Sequence, residues 1–380
     1  MVIPPIKWED LYQRPQQIAS ILSKKFTILW IDKPTFFFLE ALIRALLGKL
    51  KLTECISDNF YIYRTFTFIP FSRVKIIRKI NDILWLLLID LYGILFFRKV
   101  EDTIYLVGFP LDIHQFKGTL LVYDRCDRFY KFKGASKTVF LNDIKLMKKA
   151  RLVINSSYNL YKEATMYNKN SVVIRNGVDL ALLKETRRLS KETNKKVIGF
   201  IGAVSSWLDF KLLKKLAKTY QEYDIHVVGP IGGVKRDQDL IDLRRMENVK
   251  FFGKVSHDKL PTYLKEFNIG IVPFIVNELT EAVDPVKVYE YMAAGKPVVT
   301  TNLPELYRLK DYIYIAKNKD EFIEFCRQAI ENPKISSEQL TKTAMENTWE
   351  RRVEQIEREI CKMVPECVMN SCASPNFYSN

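Results

Sequence analysis

This chain is poor in the residues that hold transition metals. Its three histidines (His114, His226, His257) stand far apart, and its six cysteines (Cys55, Cys126, Cys326, Cys361, Cys367, Cys372) include no C-x-x-C pair. Zinc ligands come in close spacings of those residue types, so a zinc site is not expected. Long apolar runs are also missing. Crossing a bilayer takes roughly 20 apolar residues, whereas Ile83–Phe97 is shorter and carries Asp90 in its middle. The opening Met-Val-Ile-Pro-Pro has neither a basic n-region nor an apolar h-region, so no signal peptide is expected. Reduced cysteines and a cytoplasmic location follow as expectations. Acidic residues are in deficit, 44 against 59 basic ones, which leaves a net charge of +15. Such an excess favours anionic partners: nucleotide phosphates, acidic lipids or nucleic acid. Nothing resembles a zinc finger, an RRM or a base-reading helix-turn-helix, so nucleic acid ranks last and no such partner is expected.

What is present suits a globular protein. With 380 residues, 48% apolar and 27% charged, the chain is long enough for two domains with separate cores. Strand-like segments alternate with helical ones. In the first half the strands are 26–31, 61–66, 104–108, 120–124, 152–155 and 172–174, with helices at 16–22 and 139–150. A second series has strands at 197–201, 225–228, 249–252 and 269–273 and helices at 210–220 and 260–266. This alternation predicts α/β architecture with parallel, doubly wound sheets. The polar, charged stretch 184–196 is the expected linker. Domains are expected over 1–183 and 196–335, followed by one charged helix within 336–362 and a loose tail over 363–380.

Two segments of the first half are unusually apolar: Phe36 to Leu47, and Ile83 to Phe97 with Arg73, Lys75, Arg78 and Lys79 before it and Arg98 and Lys99 after. An apolar helix between cationic flanks suits the interface of an anionic lipid surface. The competing reading is a buried core helix.

The most informative stretch is 277–304, NELTEAVDPVKVYEYMAAGKPVVTTNLP. It reads as loop, helix, tight turn, strand and loop. Asp284 is the expected N-cap, Pro285 the first helical residue, and Gly295 the left-handed C-terminal cap. Lys287, Glu290 and Tyr291 then share one helix face, and Val298–Thr301 forms a buried strand. A cation and a carboxylate on a helix with free N–H groups suit a diphosphate and a ribose diol. An ordinary βα unit with a surface Lys–Glu pair would have the same sequence.

Pro285 to Val299 resembles the donor-site signature of GT-B glycosyltransferases of the GT4-like group, P-x-K-x-Y-E-Y-x-A-A-G-K-P-V-V. Further likeness lies in Gln13-Arg14-Pro15-Gln16-Gln17, Tyr123-Asp124-Arg125-Cys126-Asp127, Arg175-Asn176-Gly177-Val178-Asp179 and Gly199-Phe200-Ile201-Gly202-Ala203. The kind most resembled is the bacterial envelope-polysaccharide type that includes teichuronic-acid glycosyltransferases. This resemblance implies two Rossmann-like domains facing a central cleft, with a C-terminal helix crossing back onto the first domain and Trp349 as its anchor. It implies retention of anomeric configuration, no required metal or cofactor, and a nucleotide-diphosphate sugar as co-substrate. The acceptor is expected to be a lipid-linked or growing glycan, and the place of work the inner face of the plasma membrane.

By the same resemblance, Lys287 and the glycine turn at Gly202 and Ala203 face the diphosphate, joined by Val288. Glu290 takes the ribose, and Gly253, Lys254 and Val255 the base. Relatives carry an arginine and a lysine after the glycine; here those places hold Ala203 and approximately Trp207, so Lys287, helped by Lys254, bears more charge. Retaining members often have a glutamate eight residues before the ribose one. Here that position is Ala282, and Glu278 is the expected substitute ahead of Glu281, unless both are solvated loop charges. On the acceptor side stand Arg14, Gln17, Asp124 and Asn176, with Asp127 as base or acceptor-orienting group. Asp124 could instead cap a turn, and Asn176-Gly177 could be only a turn. Two rival activities share the fold: a nucleotide-sugar 2-epimerase and a non-catalytic scaffold of a polysaccharide assembly complex.

Overall fold

The computed structural model describes residues 1–48, 51–69, 75–97, 103–111, 120–179 and 196–364. The expected linker 184–196 falls almost wholly outside them, as do the tail beyond 364 and the flanking Arg73, Arg98 and Lys99. The chain divides into two compact units. The first comprises Met1–Ser156, Leu160–Ile174 and the chain from Val353; the second comprises Ser157–Asn159 and Arg175–Arg352.

The first unit is built on strands β1 (Val2–Ile3), β2 (Ile28–Phe37), β3 (Thr53–Ser57), β4 (Phe60–Thr67), β5 (Ile104–Val107), β6 (Leu120–Arg125), β7 (Leu152–Asn155) and β8 (Ser171–Val173). They lie in the order β3-β4-β2-β1-β5-β6-β7-β8. All neighbours pair in parallel except β3, which runs antiparallel to β4. That hairpin corrects the expectation of a wholly parallel sheet. β3 sits at the edge, half-buried at Thr53 and Glu54 and exposed from Cys55 to Ser57, so it lacks the continuous apolar run that marks a parallel strand. Leu29, Ile31, Tyr105, Val107, Tyr123 and Val153 form the centre of the core.

Helix α1 (Arg14–Leu22) buries Ile18, Ala19 and Leu22. Helix α2 (Phe38–Leu46) begins only after β2 has run to Phe37, later than the apolar pattern indicated. Helix α3 (Lys75–Phe97) docks through Trp85, Leu86 and Ile89. Trp85 Nε1 donates to Thr65 Oγ1 at 2.8 Å, and Asn81 Oδ1 accepts from the N–H groups of Phe68 and Ile69. No described helix is long and apolar enough to cross a membrane.

The second unit has six parallel strands: β9 (Val197–Ile201), β10 (Asp224–Val228), β11 (Val249–Gly253), β12 (Ile269–Val272), β13 (Val298–Thr301) and β14 (Tyr314–Ala316), ordered β11-β10-β9-β12-β13-β14. Every residue of β9, β10 and β12 is buried, as strands covered on both faces must be.

The single charged helix expected over 336–362 is two, Ser337–Met345 and Trp349–Cys361. Val178 is the cause. Its N–H donates to the Asn347 carbonyl at 2.9 Å and its carbonyl accepts from Trp349 N–H at 3.0 Å, groups that a continuous helix would need for itself. Trp349 is fully buried within the second unit, while the same helix from Val353 onward belongs to the first.

Candidate functional site

In the second unit the signature helix runs from Val286 to Ala293. Asp284 is not its N-cap, contrary to expectation. Pro285 holds that position, and no side chain caps the helix. The Asp284 carboxylate is buried and accepts instead from Asn176 N–H (2.9 Å), Tyr289 Oη (2.9 and 3.0 Å) and Arg308 Nη2 (3.0 Å). Asn176 Nδ2 also donates to the Asp284 carbonyl at 2.6 Å. Asn176, expected on the acceptor side, is therefore a brace of the second unit. Gly295 does take the left-handed conformation, φ +67°, that ends the helix.

The helix faces the turn after β9. Lys287 Nζ lies over the rings of Phe274 (4.8 Å to the centroid) and Phe200 (5.5 Å). A Cβ at Gly202 would come within 3.0 Å of Lys287 Cε and 3.3 Å of its Nζ, so the ammonium rests against this turn. Tyr291 Oη accepts from Ile201 N–H at 2.8 Å and pins helix to strand. Gly229 closes the turn from below. Its φ is +149°, and any Cβ there would overlap the Gly202 carbonyl, which only glycine allows. Gly202 and Ala203 remain partly exposed. Val288 is wholly in the core, with its N–H bonded to the Pro285 carbonyl; it packs rather than presenting a polar group.

Glu290 is the most telling residue. It is 9% exposed, and among the described residues its carboxylate accepts no hydrogen bond. Burial raises its pKa; the opposing charges of His257 and Lys287 only partly offset this, and Asp179 adds to the rise. His257 Nε2 lies 3.3 Å from Asp179 Oδ2. Burial works against protonation of His257, but Asp179 and Glu290 outweigh it and raise its pKa. Sequence reasoning assigned neither His257 nor Asp179. The signal lay in their positions, two residues after Val255 and two after Gly177. Lys254 is exposed, while Val255 is half-buried against the core.

The loop before the helix is ordered by Asn277, whose Oδ1 accepts from the N–H groups of Leu279 and Thr280. Glu278 stands exposed on it, Ala282 is fully buried, and the Glu281 carbonyl accepts from Asn159 Nδ2 at 2.8 Å.

In the first unit, Asp124 lies inside β6 and is buried, and Arg14 is 3% exposed. Arg14 Nε donates to both Asp124 carboxylate oxygens at 3.0 Å, Nη2 to Oδ1 at 2.7 Å, and Nη1 to the Ile174 carbonyl at 3.0 Å. Both residues were expected to meet an acceptor; both are interior braces, because the guanidinium ties α1 to the sheet. Gln17 is buried on the same helix. Asp127 does stand in the turn beyond the strand, half-exposed. Among the described residues no group of three or more His, Cys, Asp or Glu could hold a metal ion. The D-x-D triplet Asp237-Gln238-Asp239 has structural partners: Asp237 caps a short helix through Leu240 N–H, and Asp239 pairs with Lys214 at 2.7 Å.

Residues 195–332 match the family described as glycosyl transferases group 1. Over 237 residues the chain is 29% identical to the putative teichuronic acid biosynthesis glycosyltransferase TuaH of Bacillus subtilis (strain 168), covering 57% of this chain and 59% of that protein's length. Among solved structures it is similar to sucrose-phosphate synthase from Thermosynechococcus elongatus (TM-score 0.75, 12% identity, 95% and 98% coverage). It is also similar to Anabaena Alr3699/HepE, solved in complex with UDP and glucose (TM-score 0.64, 14% identity, 95% and 99% coverage). The fold is GT-B.

Proposed function

We infer, from a match to the group 1 glycosyl transferases at residues 195–332 and the buried Glu290 carboxylate that feels the Lys287 charge, that the chain transfers a sugar from a nucleotide-diphosphate sugar. The observation that carries this reading is Glu290. Among the described residues no group donates to this largely buried carboxylate, which is costly, and two adjacent ribose hydroxyls supply donors. Lys287, beside Gly202, takes the diphosphate and stabilises the charge that develops on it as the glycosidic bond breaks. Lys254 and the backbone at Gly253 and Val255 face the base, Glu278 the sugar, and Asp127 orients the acceptor hydroxyl or takes its proton. The reaction is retaining and needs no metal. The teichuronic acid relative supports a place in envelope polysaccharide assembly, with a lipid-linked or growing glycan as acceptor.

Calorimetry against UDP, GDP and ADP tests this directly. One of them should bind, and Glu290→Gln should weaken that binding about tenfold or more. The substitution also carries a stability signature. The folded pKa of Glu290 is raised above the ordinary 4.5, so the folded state holds the proton more tightly than the unfolded chain. Ionised Glu290 therefore costs stability at neutral pH, and this cost vanishes below the ordinary glutamate range. Glu290→Gln should melt higher than the parent at pH 7 and equal to it near pH 4. Failure of all three nucleotides to bind would remove the donor reading and leave a scaffold.

We propose that the work is done at the cytoplasmic face of the plasma membrane, and two exposed apolar helix faces support the membrane contact. On α2 these are Leu39, Leu42, Ile43 and Leu46; on α3, Ile76, Ile80, Ile83, Leu87 and Leu91 recur every three or four residues, opposite the face that docks. A helix with such a face and a strongly cationic chain behind it suits anionic lipid. The chain should sediment with anionic liposomes at low salt and less so at high salt. The triple variant Leu39→Ser, Ile43→Ser, Leu87→Ser should reduce binding by about tenfold or more, since each leucine-sized side chain buried is worth about 1.5–3 kcal/mol. Equal sedimentation of variant and parent would remove these helices from the membrane contact.

A further inference from the structure

The sheet of the first unit has a topological switch that the donor chemistry leaves unused. From β1 the chain moves to β2, β3 and β4 on one side and then to β5, β6, β7 and β8 on the other. In open parallel α/β sheets, ligands bind beyond the carboxyl ends of the strands at such a switch. The carboxyl ends of β1 and β5 meet closely here: a Cβ on Gly108 would lie 2.9 Å from Pro5 Cδ.

Three segments bring chemistry to that edge. Lys33 lies where the pairing of β2 with β4 becomes irregular, between Asp32 and Phe36. Its ammonium is 3.9 Å from the ring centroid of Phe109, which follows β5. Phe109 meets Phe129, in the turn after β6, edge to face at 5.1 Å, and Phe129 stacks on Phe132 at 5.9 Å. All four side chains are only partly buried. A phenyl face draws a cation through its quadrupole, but it does not neutralise the charge. Burial accordingly lowers the Lys33 pKa to about 8, with Asp10 opposing. The pairing of a desolvated ammonium with a row of phenyl rings matches a ligand that is anionic at one end and flat and apolar beside it. A pyranose bearing a phosphate or carboxylate has that form, because its axial C–H groups make one face apolar.

We infer that Lys33, Phe109, Phe129 and Phe132 form an acceptor subsite for an anionic sugar, with the ammonium on the phosphate or carboxylate and the rings against the pyranose. This rests on reading the chain as a glycosyltransferase, and names the charge its acceptor carries.

The test is acylation of lysines in the full chain at pH 8, followed by peptide mass spectrometry with the exposed Lys211 as internal reference. The probes are glucose 1-phosphate, glucuronate and glucose. Lys33 should label ahead of Lys211, and at least one anionic sugar should slow its labelling about fivefold or more at saturation, consistent with a charge-assisted contact. Glucose should not slow it, and the probe that protects identifies phosphate or carboxylate as the recognised group. Saturation-transfer NMR with the protecting sugar should show binding retained in Lys33→Arg and lost in Lys33→Met. Absence of protection by both anions, equal protection by glucose, or unchanged binding in Lys33→Met would overturn the subsite. Nucleotide calorimetry on the same preparation separates the two readings: a nucleotide that binds while Lys33 stays unprotected condemns the subsite alone.

Discussion

Lys287→Ala will lower kcat/KM for the nucleotide-sugar by about 10- to 100-fold, the loss expected when a charge-assisted contact of about 1–3 kcal/mol is removed. The reason lies in what surrounds the ammonium. It rests against Gly202 and over the rings of Phe200 and Phe274, so it is held in place without being neutralised by them. The turn itself carries Ala203, which adds no cation, so under the proposed function the lysine bears more of the diphosphate charge. A charge that grows on the leaving group is stabilised most in the transition state, so kcat should fall along with affinity. Lys287→Arg should recover part of the rate, because the charge is kept and only its placement changes. The melting temperature should fall little, since two cation–π contacts at a half-buried site are worth only about 0.5–1 kcal/mol each. Parental kinetics in Lys287→Ala would place the diphosphate elsewhere.

Arg14→Ala will have the opposite profile, a large loss of stability, with nucleotide binding by the second unit intact. Arg14 and Asp124 are 3% and 5% exposed as side chains and share three hydrogen bonds. Removing one member of a buried pair strands the other charge and costs about 3–5 kcal/mol. The first unit should therefore melt about 10 °C or more below the parent. Replacing both members, Arg14→Met with Asp124→Leu, should restore much of the loss, because the cost of the single variant is mostly an uncompensated carboxylate. An acceptor-binding role predicts the reverse: a stable Arg14→Ala with reduced transfer. Differential scanning calorimetry of the single and double variants distinguishes the two outcomes.

Arg14 also shows where a sequence pattern stops being informative. Its place beside Pro15 at a helix start suits a ligand-facing residue as well as a brace. The choice depends on what the folded chain puts opposite, and that partner is 110 residues away. Asp284 is a second case. Asp-Pro before an apolar helix is a good N-cap pattern, yet Asn176, Tyr289 and Arg308 together offer its carboxylate more hydrogen bonds than the helix terminus does. Local preference gives way where tertiary donors converge. The hairpin strand β3 and the two-residue strand β1 were missed because an edge and a very short strand carry too few side chains to impose a period.

The α/β class and the signature helix with its left-handed glycine were determined by sequence alone, and most strands could be placed to within a residue or two. Each of these rests on short-range physics: hydrophobic period, the fixed φ of proline and the open φ of glycine act within a few residues of themselves. Tertiary structure alone decided which charged groups became braces and which were buried without one. Arg14, Asp124 and Asp284 found partners across the fold; Glu290 was buried with no hydrogen-bond donor among the described residues, near the charges of His257 and Asp179, which were not among the expected site residues. Desolvation and pairing depend on neighbours brought from tens to hundreds of residues away, and no local spacing encodes them.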